Sequence, residues 1–230
     1  GNGLVLLVGG YGDGSGSWEI WSPEGDSDKS GELHQSRWHH TTTYLSNVSS
    51  PVVMIAGGEG GEGLGNTTVR ETMEIFDIGS LTLSAQKKNL CSNGLANSPP
   101  PTKKTLHGAA YVPNRKLLYI AGGFEYAAHH TPTRDICVWH SVSNKWVAEA
   151  GALELNVPRG ALTVTSMFGN SVLLAGGLTN KGTQMEMAHT VEFIFEYVDS
   201  NGQVLVDVGP DEASPKYLVE PRYFHGAISG

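Results

Sequence analysis

Charge is scarce in this chain, and so are cysteine and long apolar runs. Only 17% of the 230 residues are Asp, Glu, Lys or Arg. Two cysteines set no disulfide framework. The longest aliphatic runs, such as Leu4 to Val8, are far shorter than the ~20 residues that a membrane-spanning helix needs, so no membrane span is expected. Apolar residues rarely persist at three-four spacing beyond two turns, which argues against long amphipathic helices. The formal net charge of −8 speaks against nucleic acid, which asks for a basic face. The chain starts at Gly1 with neither an initiator methionine nor a signal peptide, as expected of a processed mature form or an excised domain.

Glycine is what the chain has in excess. Its 30 residues lie well above the usual share of about 7%, so tight turns outnumber helical surfaces. Four apolar runs each end in a glycine pair: LVLLVGG, VVMIAGG, LLYIAGG and SVLLAGG. The pairs begin at Gly9, Gly57, Gly122 and Gly176, with spacings of 48, 65 and 54 residues. Ahead of three of these runs stands a second element: RWHHTTTYL, KTLHGAAYV and PRGALTV. The gap between the two holds a short strand, a turn and a second strand, which is a β-hairpin. Beyond each pair, after a polar loop, comes a third strand: SWEIWSP, TMEIFDI, DICVWHS or VEFIFEYV. LTLSAQ, KWVAEAG and QVLVDVG supply a fourth. Each repeat is a four-stranded antiparallel unit that cannot bury both faces alone, so several must stack around an axis.

The two ends of the chain complement each other. RYFHGAIS matches a first strand and GLVLLVGG a second. From His225 across the join to Gly9 is 14 residues, close to the gap inside the other hairpins. The expectation is that the C-terminal strand completes the unit that the N-terminus begins. The same complementarity could instead join two copies by strand exchange into a homo-oligomer.

These motifs resemble the kelch-repeat β-propeller family. The resemblance rests on the four glycine pairs, on first-strand starts at Arg37, His107 and Arg222, on the aromatics Trp21, Phe76, Trp139 and Phe195, and on VSNKW at 142–146. It covers essentially the whole chain and implies an all-β, kelch-like β-propeller of four countable blades in a single domain, residues 1–230. Family members usually carry five to seven blades, so residues 1–230 are either a compact ring or a portion of a larger one.

Candidate site residues fall in two groups. Arg70, Tyr126, His129, His130 and Arg134 sit in long loops between second and third strands and mix aromatic surface with cationic donors, a combination suited to protein or glycan partners. Arg37, Lys104, Arg159 and Arg222 stand at first-strand starts, which the resemblance places around the central channel. There they could bind an anion, or bond carbonyls and stitch blades together. His40, His107 and His225 recur at one repeat position and read as structural. Asn47 and Asn66 begin N-glycosylation sequons. Cys137 takes the place of Glu19 and Glu74 in sister repeats. It is expected as a buried thiol rather than bridged to Cys91, since nothing in the sequence brings the two together.

No nucleophile elbow, phosphate loop or zinc-spaced cluster is present, and neither a catalytic residue, a metal site nor a cofactor is expected. The reading is a non-catalytic scaffold that presents loops to a protein or glycan partner, extracellular rather than cytoplasmic. One alternative is a structural subunit of an extracellular assembly. Another, from the galactose-oxidase branch of the resemblance, is a copper enzyme, for which no arrangement of Tyr, His and Cys recommends itself.

Overall fold

The computed structural model describes residues 3–12, 16–23, 25–46, 50–61, 67–84, 88–92, 102–126, 131–147, 153–181, 183–198, 204–209 and 216–226. Over these the chain is all-β, with a short 3₁₀ turn at Phe168–Asn170. The strands are β1 (Val5–Val8), β2 (Ser17–Ser22), β3 (Gly25–Glu32), β4 (Thr41–Leu45), β5 (Val52–Ala56), β6 (Glu59–Gly60), β7 (Thr68–Val69), β8 (Thr72–Asp77), β9 (Thr82–Leu83), β10 (Lys88–Asn89), β11 (Gly108–Val112), β12 (Leu117–Ala121), β13 (Ile136–His140), β14 (Lys145–Trp146), β15 (Thr163–Ser166), β16 (Val172–Ala175), β17 (Leu178–Lys181), β18 (Gln184–Met187), β19 (Thr190–Val198), β20 (Val204–Gly209) and β21 (Lys216–Tyr217).

They form four antiparallel sheets in chain order. These are β1-β2-β3; β4-β5-β8 continued by β9 and β10; β11-β12-β13-β14; and β15-β16-β19-β20, with β21 also on β19. The glycine-pair strands β5, β12 and β16 hold equivalent inner places, β1 lies at an edge beside β2, and none of the four pairs with another. Two loops read as irregular form small ribbons instead, β6-β7 and β17-β18. The fourth strand of the first unit, β3, escapes sequence reading because GDSDKSGE has no apolar alternation.

The inner strands β5 and β12 are apolar throughout because the second and third sheets are covered on both faces. Val53 and Ile55 of β5 pack with Trp18, Ile20 and Phe76, between the first and second sheets. Met54 and Ala56, pointing the other way, pack with Leu118, Ile120, Trp139 and Trp146 of the third. Tyr119 and Ala121 in turn meet Val172, Leu174 and Ile194 of the fourth. Three cores therefore lie between consecutive sheets, each large buried side chain contributing about 1.5–3 kcal/mol. On the outer face of the first sheet nothing comparable happens: Val5 and Leu7 stay 44% and 48% exposed.

The glycine pairs sit where the backbone of the next unit comes in. In every pair both residues have positive φ. A Cβ on Gly57 or Gly122 would lie 2.4 or 2.3 Å from the carbonyl oxygen of Lys104 or Arg159. The second glycine then donates to that same carbonyl: Gly10 N to Arg37 O, Gly58 N to Lys104 O, Gly123 N to Arg159 O and Gly177 N to Arg222 O, at 2.7–3.1 Å. Two residues further on, His39, Leu106, Ala161 and Phe224 all adopt φ of 49–53°. Each of the last three donates its N–H to the carbonyl of the one before it.

Residues 222–226 dock on the fourth sheet as first-strand starts do elsewhere, and His225 Nε2 lies 3.0 Å from Thr163 Oγ1. Residues 227–230, the rest of the expected closing strand, lie outside the described residues. Among the described residues β1 pairs with β2 alone.

Candidate functional site

Arg37 and Arg159 are fully buried, which supports the carbonyl-bonding one of their two readings over anion binding. Arg37 donates to the Gly57 and Thr72 carbonyls and pairs with Glu74. Arg159 repeats this with the Gly176 and Thr190 carbonyls and Glu192. Each guanidinium thus closes its own sheet, while its backbone carbonyl holds the preceding one. Burial lowers the pKa of both groups, and the facing carboxylates oppose the shift.

Lys104 shows how this contact adapts. The position of Glu74 and Glu192 is taken by Cys137 in the third sheet. The cation there is a lysine, and its carboxylate is Asp135, 3.3 Å away. Lys104 Nζ also reaches the Gly122 carbonyl at 3.2 Å. Cys137 is not a thiol: it is bonded to Cys91, with Cα atoms 5.4 Å apart. The expected buried thiol is thereby overturned. The end of β10 lies against the third sheet, where Trp146 Nε1 donates to the Asn89 carbonyl, and this places Cys91 beside β13. No local pattern in the sequence signals such a contact.

Arg222 breaks the series. Its side chain is 59% exposed, with Glu220 at 3.9 Å as its ion pair. Its counterpart acid by position is Glu19, paired in register with Leu7 as Glu74 is with Ile55, and it is exposed as well.

The recurring histidines sit at the joins between sheets: His107 and His225 reach hydroxyls of the adjacent sheet, and His40 and His107 also interact with backbone groups. His107 Nε2 lies 2.8 Å from Thr41 Oγ1. Desolvation, with Lys104 nearby, lowers the His107 pKa to about 3, and desolvation with Arg37 lowers that of His40 to about 4. Both rings are neutral in the fold and take up protons on unfolding below the ordinary value of about 6.5. Stability is therefore complete above that pH and falls as pH drops from 6.5 toward 4 and 3. Urea midpoints should decline between pH 7 and pH 5, before most carboxylates titrate. The decline should be shallower in His107→Gln, and a flat profile over that interval would contradict the assignment.

Of the predicted loop patch, Tyr126 is 62% exposed. Arg134 donates to the Leu155 and Asn156 carbonyls, and Arg70 to Ser36 O, Ser36 Oγ and Thr68 Oγ1, so both cations brace loops. His129, His130, Asn47 and Asn66 lie outside the described residues.

The structure assembles another group at the same end of the sheets. Tyr11, 76% exposed, meets the ring of Trp38 edge-on at 5.5 Å. Trp38 exchanges both backbone hydrogen bonds with Glu59. Glu59, almost fully buried, accepts from Thr105 Oγ1 at 2.6 Å, and its Oε1 lies 3.1 Å from Nδ1 of the half-exposed His39. Sequence reading missed this cluster. The available signal was a lone carboxylate just past a glycine pair, where sister repeats have Tyr11, Phe124 and Leu178. A separate groove of about 630 Å³ lies between the second and third sheets, lined by Met54, Asp77, Lys88 and Trp139 among others. Among the described residues no group of three or more His, Cys, Asp or Glu could hold a metal ion. No helix there is long and apolar enough to cross a membrane.

No family model matches the chain, and no curated protein matches it. A solved structure titled "Structure of YjhT" is similar in fold, with a TM-score of 0.57 and 11% identity, over 98% of this chain and 71% of the other.

Proposed function

We propose that the chain is a kelch-like propeller scaffold without catalytic activity, and that the glycine-pair end of its sheets presents a binding face to a protein or glycan partner. The observation that carries this reading is the division of labour at that end. The buried cations are consumed in holding sheets together, whereas Tyr11, His39, Tyr126 and Phe224 are exposed. Exposed aromatics on a rigid frame suit recognition. The Cys91–Cys137 bond supports an extracellular setting, where disulfides persist. Ring closure through the termini is part of the proposal: Arg222 lacks the glycine carbonyl and acid that its sister cations have, and Gly9 and Glu19 lack a cation.

Fluorescently labelled protein, titrated onto cell-surface and extracellular-matrix preparations, tests the reading. Saturable binding should weaken about tenfold in Tyr126→Ala, the loss of a central aromatic contact, with the melting temperature unchanged. Equal weakening by Val142→Ser, a change in the β13–β14 turn, would place the face elsewhere, and absence of saturable binding would reject it.

A further inference from the structure

The joins between consecutive sheets can be set against one another. Outer strands help to pack two of them, with Leu83 of β9 in the first and Val206 and Val208 of β20 in the third. In the second join β10 supplies Lys88, and a groove of about 630 Å³ remains, a size that suits a small organic molecule. The register explains what lines it. Met73, Ile75 and Asp77 alternate along β8 and so face one way, toward the core shared with the third sheet, where Met73 is buried. Lys88 pairs with Met73, and Val52 of β5 pairs with Asp77. Lys88, Val52, Ile75 and Asp77 therefore form one wall. Trp139 of β13 and Val142, in the turn after it, line the other.

The groove carries opposite charges toward its two ends and is apolar between them. From Met73, beside Lys88, to Asp77 is about 13 Å at the rise of a strand. Asp77 is already served: it accepts from Ser80 N at 2.7 Å and from the Ser80 and Ser50 hydroxyls at 2.9 Å. Lys88 is not. Its ammonium stands 5.1 Å from the centroid of the Trp139 ring, and no carboxylate among the described residues pairs with it. Partial burial lowers its pKa with no opposing charge to offset the shift. Burying a charge is costly unless it is paired, so this position favours an incoming anion. Beyond it, Val52 and Ile75 are half-buried and Val142 is 65% exposed, apolar surface that gains from being covered.

We propose that this groove binds an aliphatic monocarboxylate, with the carboxylate on Lys88 Nζ and the apolar chain lying along Val52, Ile75 and Val142 toward Asp77. A second carboxylate at the far end would meet Asp77, so the site takes one negative charge and not two. Val142 follows His140, which pairs with Leu117 at the end of β12 remote from its glycine pair. The site is therefore separate from the binding face above and does not depend on that reading. No covalent step is involved.

Calorimetric titration with octanoate tests the assignment. A ligand of this size should bind at about the millimolar level. Octanamide, equal in shape but uncharged, should bind about tenfold more weakly, the effect of one lost charge-assisted hydrogen bond. Octanedioate should also bind more weakly than octanoate. Lys88→Met keeps an apolar stem over Trp139 and removes the charge. It should bring octanoate down to the level of octanamide, with the melting temperature kept or raised. Tyr126→Ala, at the glycine-pair end, should leave the titration unchanged. The proposal is overturned if octanoate does not bind, if octanamide or octanedioate binds as tightly, or if Lys88→Met keeps the parent affinity. The two ligand comparisons on the parent decide the matter if the methionine variant folds poorly. Equal loss of octanoate binding in Tyr126→Ala would place the ligand at the other end and reject the groove. If octanoate fails while Tyr126→Ala still weakens binding to surfaces, the groove is rejected and the scaffold reading stands.

Discussion

Arg159→Met should lower the unfolding free energy by about 3–5 kcal/mol, the cost of stranding one member of a buried ion pair. The figure is large because Glu192 would keep its place. Its carboxylate also accepts the backbone N–H groups of Asn156 and Val157 at 2.7 and 3.2 Å, so it cannot swing out to water without releasing that connection. The Gly176 and Thr190 carbonyls would lose their donor as well. Changing both partners to apolar residues of similar volume should cost much less, because no uncompensated charge remains. Urea denaturation of the single and double variants measures the difference. A single variant within about 1 kcal/mol of the parent, the ordinary range for an exposed pair, would show that Arg159 is not the buried brace described.

Reduction of Cys91–Cys137 is the second large effect. The bond joins positions 46 residues apart, and a cross-link over such a loop is worth about 4 kcal/mol in the chain-entropy account, with 2–4 typical. It ties the connection leaving the second sheet to the central part of β13 in the third. Its loss should loosen the packing of Leu90 and Trp146 in the core between those sheets more than that of the fourth sheet. Cys91→Ser/Cys137→Ser, or the parent in reductant, should unfold at markedly lower urea. Hydrogen exchange should quicken first in β10, β13 and β14. Coinciding oxidised and reduced curves would exclude a stabilising role.

The periodic part of this architecture was legible in the sequence, because the fold is periodic. The runs that became β5, β12 and β16 announce themselves by length and by the glycines that follow. In β5 and β12 alternation is invisible because both faces are buried, one against each neighbouring sheet. The pairs themselves have a reason that the sequence could not give: the carbonyl of the next unit's cation occupies the space of a Cβ. β3 was hidden because an outer strand needs little apolar character. The disulfide was hidden because the approach of the segment just past β10 to the third sheet is a tertiary contact with no local sequence signal. For Arg37 and Arg159 the sequence left anion binding and carbonyl bonding both open, and the coordinates show each guanidinium bonded within its own sheet. His39 and Glu59 were visible in principle as departures from the repeat, but their meeting depends on the pairing of Trp38 with Glu59.

Beside the packed cores, main-chain atoms also join consecutive sheets: a glycine N–H to the cation's carbonyl, and the run of N–H donors from Phe224 through Ala161 and Leu106 to His39. These particular links read no side-chain identity beyond the glycines. At the glycine-pair end, outside the cores, side chains can therefore change from unit to unit without disturbing the main-chain joints. For a lineage this separates two kinds of inheritance. The frame passes on through a few glycines and one cation per unit, while the residues at the open end vary unit by unit. That freedom is compatible with a single member of the series carrying a histidine and a glutamate where its sisters have other residues.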